Sequence, residues 1–313
     1  MATCTGYKSI LERLYSDYYL KNTSSDVTSS YWRKYGSRSR IIKHKNDFRM
    51  SGLGFGTFCP RVSLKRIKYL LPHFLAKSLF RKYNPDDRIK FSGLEIIKKQ
   101  DRALDFDSVK QILSASLLCE RNIFQQCRVI AVIGDGYGFM TSLAKMICPN
   151  ATVISVNLGK ILMFDVFYAK KALPDDNTIL LNETMNADVL RKSSVVFLEA
   201  EKFDLLFGLP IDLFINIASM QEMDMNTIKT YFDIMRSGAG KCYFYCCNRV
   251  EKQLPDGTII RFLNYPWHSK DEMIVDELCP WYQKYPISRP PFWKSLDGPT
   301  YHRLLKLYRL GQV

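Results

Sequence analysis

The stretch that most constrains this chain is residues 129–138, VIAVIGDGYG. An apolar, mostly β-branched run breaks into Gly134-Asp135-Gly136-Tyr137-Gly138, and an apolar stripe at helical spacing starts at once with Phe139. The pattern predicts a buried strand over Val129–Ile133, a tight loop, and a helix over Phe139–Ile147. Glycine suits such a loop: without a Cβ the backbone turns sharply and a ligand can lie against main-chain amides. The helix N-terminus adds unpaired N–H donors beside it.

Downstream the rhythm is regular. Strand patterns at 152–156 (ending at Asn157), 195–198, Leu213–Ile217 and 242–247 alternate with helix patterns at 160–172 and 225–235. Thr178–Leu181 reads as strand or turn. Two further strands, 273–278 and 302–308, close the chain around a Pro-rich loop. Strands alternating with helices over short loops predict an α/β fold with a mostly parallel sheet covered on both faces.

The residues upstream read as an addition to that unit. Apolar spacing predicts helices over 9–20, 62–83 and 107–124, with Pro72 kinking or splitting the second. Between the first two lie a polar loop (21–30), the cluster Tyr31-Trp32-Arg33-Lys34-Tyr35, a basic run to Arg49, and a glycine-spaced stretch (51–57). That stretch lacks the Lys-Ser/Thr of a P-loop and reads as a mobile loop over a pocket, which Trp32 and Tyr35 would also help to close. The division falls at 104/105: a basic, mostly helical N-terminal cap, then an α/β domain with a substrate insertion at about 248–300.

Charge sharpens the division. Residues 1–128 carry 25 Lys/Arg against 11 Asp/Glu, and residues 129–313 carry 20 against 20, so the whole net charge of +14 belongs to the first part. Such asymmetry suits an anionic partner: a phosphorylated or nucleotide-linked substrate, an anionic membrane surface met peripherally, or nucleic acid. No RNA-binding module is recognisable, so nucleic acid is not the expected partner. The nine cysteines form no C-x-x-C pair, which speaks against zinc and for reduced thiols in a cytoplasmic setting. No apolar run is long enough to span a bilayer. No cluster has metal-ligand spacing, so no metal is expected.

The glycine loop departs from the dinucleotide fingerprint. G-x-G-x-x-G would place its third glycine at Phe139, and the acid about 20 residues on is replaced by Asn157. A second mononucleotide half is also missing, which disfavours a dehydrogenase. Loop, strand-two end, an acid after strand three (Glu201) and a final strand pair, in that order, resemble the class I S-adenosylmethionine-dependent methyltransferases. Further along, VISVNLGKILMFDVFYAKKALP, DLFINIASMQEM, YCCNRVEKQLPDGTIIRFLNYPW and DELCPWYQKYPISRPPFWKSLDGPTYHRL resemble a family of candidate sugar O-methyltransferases found with bacterial surface-polysaccharide genes.

That resemblance implies a Rossmann-like methyltransferase sheet with an antiparallel last strand, S-adenosylmethionine as cofactor, and transfer of its methyl group to a sugar hydroxyl, nucleotide- or lipid-linked. It places the cofactor at Gly134, Asp135, Gly136, Tyr137, Gly138, Asn157, Leu158, Glu201 and Ser219. Two positions depart from the family pattern. Val132 stands where an acid usually helps hold the methionine end, and Asn157 where an aspartate usually holds the ribose. Asp135 is expected to supply charge near the cofactor amine, and Asn157→Asp to tighten binding.

A sugar hydroxyl is a poor nucleophile, so a general base is expected. Glu222 follows strand four, His268 sits in the insertion, and His302 begins the last strand. Asn248, Arg249, Arg261 and Trp267 are candidate substrate contacts, the arginines for phosphate or carboxylate and the indole for stacking on a ring. Other readings stay open: methylation of another small molecule or of RNA, a non-catalytic scaffold that kept the fold, and a nucleotide-sugar oxidoreductase. Oligomeric state is not legible.

Overall fold

The computed structural model describes residues 4–20, 29–36, 39–44, 47–53, 66–183, 190 and 192–309. Most of the loop at 21–30, most of the glycine-spaced stretch at 51–57 and the first turn of the helix expected over 62–83 lie outside them. The helices are α1 (Tyr7–Tyr15), α2 (Ser30–Tyr35), α3 (Arg66–Tyr83), α4 (Asp87–Lys99), α5 (Phe106–Glu120), α6 (Phe139–Ile147), α7 (Gly159–Ala172) and α8 (Met225–Ser237). The strands are β1 (Cys4–Thr5), β2 (Arg40–His44), β3 (Asp47–Ser51), β4 (Val129–Ile133), β5 (Thr152–Asn157), β6 (Thr178–Leu181), β7 (Val195–Glu199) and β8 (Leu213–Ile217). They continue with β9 (Tyr243–Arg249), β10 (Glu251–Gln253), β11 (Ile259–Arg261), β12 (Glu272–Leu278), β13 (Lys284–Pro286), β14 (Trp293–Ser295) and β15 (Thr300–Lys306).

Nine strands form one sheet in the order β1-β6-β7-β5-β4-β8-β9-β15-β12. The strands from β6 to β9 run parallel. β15 runs antiparallel between β9 and β12. This is the doubly wound α/β sheet with the antiparallel last strand that the sequence predicts. Every residue of β4, β5, β6 and β7 is buried, which is why those segments read as continuous apolar runs.

Side chains alternate between two cores. Ile130 and Val132 face the layer that holds α1 and α4–α7, while Val129, Ala131 and Ile133 face the layer that holds α8. Cys246 and Cys247 split between the two in the same way, as strand neighbours must. Cys119, Cys127, Cys148, Cys242, Cys246, Cys247 and Cys279 are free. No helix among these residues is long and apolar enough to cross a membrane.

The N-terminal part is more closely knit to the sheet than an added cap suggests. β1 pairs antiparallel with β6 at the sheet edge. Ile10, Leu11 and Leu14 of α1 are buried, at about 1.5–3 kcal/mol for each side chain removed from water. Tyr7 Oη donates to Leu173 O at 2.9 Å, and Tyr18 Oη to Glu199 Oε1 at 2.6 Å. Three elements differ from the sequence reading. α3 continues through Pro72 without splitting. The basic run up to Arg49 contains the hairpin β2–β3. α4, which the sequence reading passed over, starts at an Asp86 cap that accepts the Arg88 and Ile89 amides.

Candidate functional site

The glycine loop leaves β4 at the point where the strand order reverses, with β5 on one side and β8 on the other. Ligands bind in this crevice, at the carboxyl ends of the strands, in open α/β sheets. Gly134 has φ 75° and lies against Ser219 so closely that a Cβ would overlap the hydroxyl. Gly138 caps α6 in the left-handed region, and a Cβ there would stand 2.5 Å from Asp165 O. Both positions therefore admit only glycine without a shift of their neighbours.

Asp135 and Asp165 hold the loop from below. Asp135 Oδ1 accepts the Phe139 and Met140 amides at 2.9 and 3.1 Å, and Oδ2 accepts the Thr141 amide at 2.7 Å. Its carboxyl is thus turned into the first turn of α6, where the helix dipole favours a negative charge. The residue lines the pocket, with both carboxyl oxygens engaged by these amides. Burial raises its pKa, against the pull of those amides.

Asp165, on α7 and fully buried, was not anticipated. It accepts the Gly138 amide at 3.0 Å, Asn157 Nδ2 at 2.9 Å and Ser155 Oγ at 3.3 Å. Burial and the Asp135 charge hold its pKa well above the ordinary carboxylate value. Asn157 Oδ1 in turn accepts the Leu158 amide at 3.0 Å.

The amide of Asn157 is therefore a structural link as well as a pocket wall, and Asn157→Asp carries a cost in stability beside any effect on binding. The substitution removes a donor and sets a second carboxylate against Asp165. It should destabilise the fold by about 1–3 kcal/mol, the cost of leaving a buried partner unsatisfied. Urea denaturation measures this, and a variant as stable as the wild type would show the link to be idle.

The pocket encloses about 200 Å³. Gly134, Gly136 and Tyr137 form its loop wall, and Val156, Asn157, Leu158, Ile161 and Ala200 a mainly apolar slot beside it. Ser219, which lies against Gly134, lines it too, as do Glu222, Arg249 and Lys252 and, from α2, Tyr31 and Trp32. Tyr137 is held in place: the Arg102 guanidinium lies 4.2 Å from its ring centre, and Gln100 Nε2 donates to its carbonyl at 3.2 Å. Arg102 itself pairs with Asp105 at 3.0 Å, both buried.

Glu222 reaches the pocket through a sharp exit from β8. Ala218 takes a φ of 61°, in the left-handed region that costs a non-glycine residue about 1–2 kcal/mol. Fully buried Asn216 and Asn248 fix the turn. Asn248 Nδ2 donates to Asn216 Oδ1 at 2.8 Å, which also accepts the Met220 amide at 3.1 Å. Asn248 Oδ1 accepts the Gln221 amide at 3.2 Å, and Gln221 Oε1 accepts the Arg249 amide at 2.8 Å. Asn248 is thus a strut and not the substrate contact expected of it. Burial pushes the Glu222 carboxyl up to about 7, against the pull of Lys252, a hydrogen-bonding interaction with Tyr31, and the charges of Lys110 and Arg249.

Several sequence candidates lie elsewhere. His302 is buried in β15, its Nδ1 3.2 Å from Tyr245 Oη and its Nε2 3.4 Å from Glu277. Burial lowers its pKa. His268 stacks on Tyr308, with ring centres 4.9 Å apart, and its amide donates to Asp271. Trp267 packs among Phe232, Phe244 and Phe262, with Nε1 donating to Phe262 O at 2.8 Å. Arg261 is exposed on the β10–β11 hairpin and paired with Glu251 at 2.9 Å. None of these four lines the pocket, nor do Gly138 and Glu201. What the sequence reading missed there is Tyr31, Lys110 and Lys252; the basic excess of residues 1–128 hinted at Lys110 alone. No group of three His, Cys, Asp or Glu side chains among the described residues could hold a metal.

No known family description matches the sequence, and no curated protein does. Among solved structures the chain is similar to a candidate O-methyltransferase of Nostoc punctiforme, at 12% identity over 96% of this chain and 94% of that one, with a TM-score of 0.42. It is also similar to coclaurine N-methyltransferase bound to N-methylheliamine and S-adenosylhomocysteine, at 14% identity over 79% and 95%, with a TM-score of 0.40. A third is a candidate RNA methyltransferase of Pyrococcus horikoshii, at 13% identity over 64% of this chain and 84% of that one, with a TM-score of 0.40. At identities and TM-scores this low, the assignment of the fold rests on the strand order and not on these alignments.

Proposed function

We propose that this protein is an S-adenosylmethionine-dependent O-methyltransferase, with a sugar hydroxyl as acceptor and Glu222 as general base. One observation carries the reading: a carboxyl with its pKa raised to about 7 shares a single pocket with a glycine loop at the switch point of the sheet. The pocket residues suit the cofactor. Gly134 and Gly136 leave the loop backbone bare, the slot of Val156, Leu158, Ile161 and Ala200 suits an adenine ring, and Asn157 offers its remaining amide hydrogen near a ribose. When bound there, S-adenosylmethionine supplies an electrophilic methyl group. Glu222, half-ionised near neutral pH, is placed to take the proton of an acceptor hydroxyl, and Tyr31 is hydrogen-bonded with that carboxyl. The sugar as acceptor, and a place in surface-polysaccharide synthesis, come from the sequence resemblance alone. Another small molecule or RNA suits the same chemistry.

The second reading is a binding protein that kept the fold. Val132, the engaged amide of Asn157 and the inward-turned Asp135 favour it, since no carboxylate is free for the cofactor's polar ends at those positions. Calorimetric titration with S-adenosylhomocysteine separates the two, with NAD(H) and NADP(H) as controls. Micromolar binding of S-adenosylhomocysteine alone is the expected result. Binding of a nicotinamide nucleotide instead, or of none of them, would overturn the assignment.

A further inference from the structure

Two cations on the acceptor side of the pocket have no close counter-ion besides Glu222 and a loosely paired Asp297. Arg249 ends β9 and Lys252 stands on β10, and both line the pocket with Glu222. The Arg249 side chain is 15% exposed, and its ion pair is a loose one, 3.8 Å from an Asp297 side chain that is 90% exposed. Arg249 Nε is buried without a hydrogen-bond partner. Among the described residues the Lys252 ammonium makes no ion pair and lies over the Tyr31 ring, 5.2 Å from its centre. Burial and the Arg249 charge lower the Lys252 pKa, against Glu222 and Asp297.

The other nearby cations are already neutralised. Lys110 pairs with Asp107 at 2.5 Å and lies 4.0 Å from the Tyr282 ring centre. Burial opposes its charge, but Asp107 and Tyr282 more than offset that, and its pKa is raised. Arg261 is paired and outside the pocket. Holding Arg249 and Lys252 together, partly out of water, costs free energy that a bound anion would return. An arginine fork matches carboxylate or phosphate, and a lysine adds a point charge.

We infer that Arg249 and Lys252 bind an anionic group, phosphate or carboxylate, carried by the acceptor molecule, and so select anionic acceptors for Glu222. The inference rests on the methyl-transfer reading. β9 lies beyond β8 from the glycine-loop strand β4, which sets Arg249 away from the cofactor slot. An anion there would also cancel two charges that hold the Glu222 pKa down, making the carboxylate a stronger base once the acceptor is bound.

The test is calorimetry on the intact protein, with and without saturating S-adenosylhomocysteine, using inorganic phosphate, pyrophosphate and glucuronate as probes. Wild type, Arg249→Gln, Lys252→Met and the hairpin control Arg261→Gln are compared. At least one probe should bind wild type and Arg261→Gln alike. It should bind about tenfold or more weakly to each pocket variant, the loss of a charge-assisted hydrogen bond, with affinity for S-adenosylhomocysteine unchanged. Preference for pyrophosphate would indicate a diphosphate-linked acceptor, and preference for glucuronate an acidic sugar.

Three results overturn the inference: no probe binds wild type, a probe binds the pocket variants as well as wild type, or the variants lose S-adenosylhomocysteine instead. The last would assign the cations to the cofactor's carboxylate. Arg249-dependent anion binding by a protein that ignores S-adenosylhomocysteine would keep the anion site and remove the methyl-transfer reading.

Discussion

Glu222→Gln should lower the turnover number for methyl transfer by about 10²–10⁴-fold, the range a positioned general base supplies. Glutamine keeps the shape of the side chain but cannot take a proton, and Glu222 lines the pocket without belonging to the glycine loop. Affinity for S-adenosylhomocysteine should therefore stay within about twofold, since the substitution removes no interaction made with the cofactor. The pH dependence gives a second check. The ionised carboxyl is the base, so wild-type kcat/KM should climb with pH and level off above about 7. The variant should lose that limb.

The same shift has a sign in stability, which needs no acceptor to measure. The folded pKa of Glu222 lies above the unfolded value of about 4.3, so the folded protein holds the proton longer. Its contribution to stability is present below the unfolded value and is lost as pH rises through about 7. Glu222→Gln should abolish that part of the loss, so its Tm should gain on wild type between pH 5 and pH 8. An unchanged rate, with the acid limb kept, would place the base elsewhere in the pocket.

What was legible in the sequence was what short-range pattern carries. The strand over Val129–Ile133 and the helix over Phe139–Ile147 coincide with the structure because a β-branched run, three spaced glycines and an apolar stripe each specify backbone locally. Glu222 was reachable because it follows a strand whose carboxyl end must face the crevice. The misplacements share one cause. His302, Trp267 and Arg261 were judged by residue type, whereas their surroundings come from distant segments: Tyr245 and Glu277 for the histidine, Phe232 and Phe244 for the indole. Asp165 was hidden for the same reason, since its partners at Gly138 and Asn157 lie on two other elements. The basic excess of residues 1–128 was a poor guide: Lys110, which belongs to it, is already paired, and Lys252 comes from the half with no net charge.

His268 is the most instructive of these, because its neighbourhood predicts the largest loss of stability. Arg236 of α8 makes two parallel bonds to Asp271, both 2.8 Å, and also donates to Tyr308 O at 2.7 Å and Pro266 O at 3.2 Å. Asp271 accepts the His268 and Tyr308 amides as well, both at 2.9 Å. One buried ion pair thus clamps the middle of the insertion and the chain after β15 onto α8, and His268 belongs to that clamp. Burial works against the Asp271 charge, but Arg236 and the two amides outweigh it and its pKa is lowered. Arg236→Met leaves that carboxylate buried and short of its counter-charge, so urea denaturation should show a loss of about 3–5 kcal/mol. Replacing both partners, Arg236→Met with Asp271→Leu, should recover much of it, because the desolvation cost leaves together with the attraction. A single variant that loses less than about 1 kcal/mol, the level of an exposed pair, would mean that water reaches the clamp. His268 would then regain a claim to solvent and substrate.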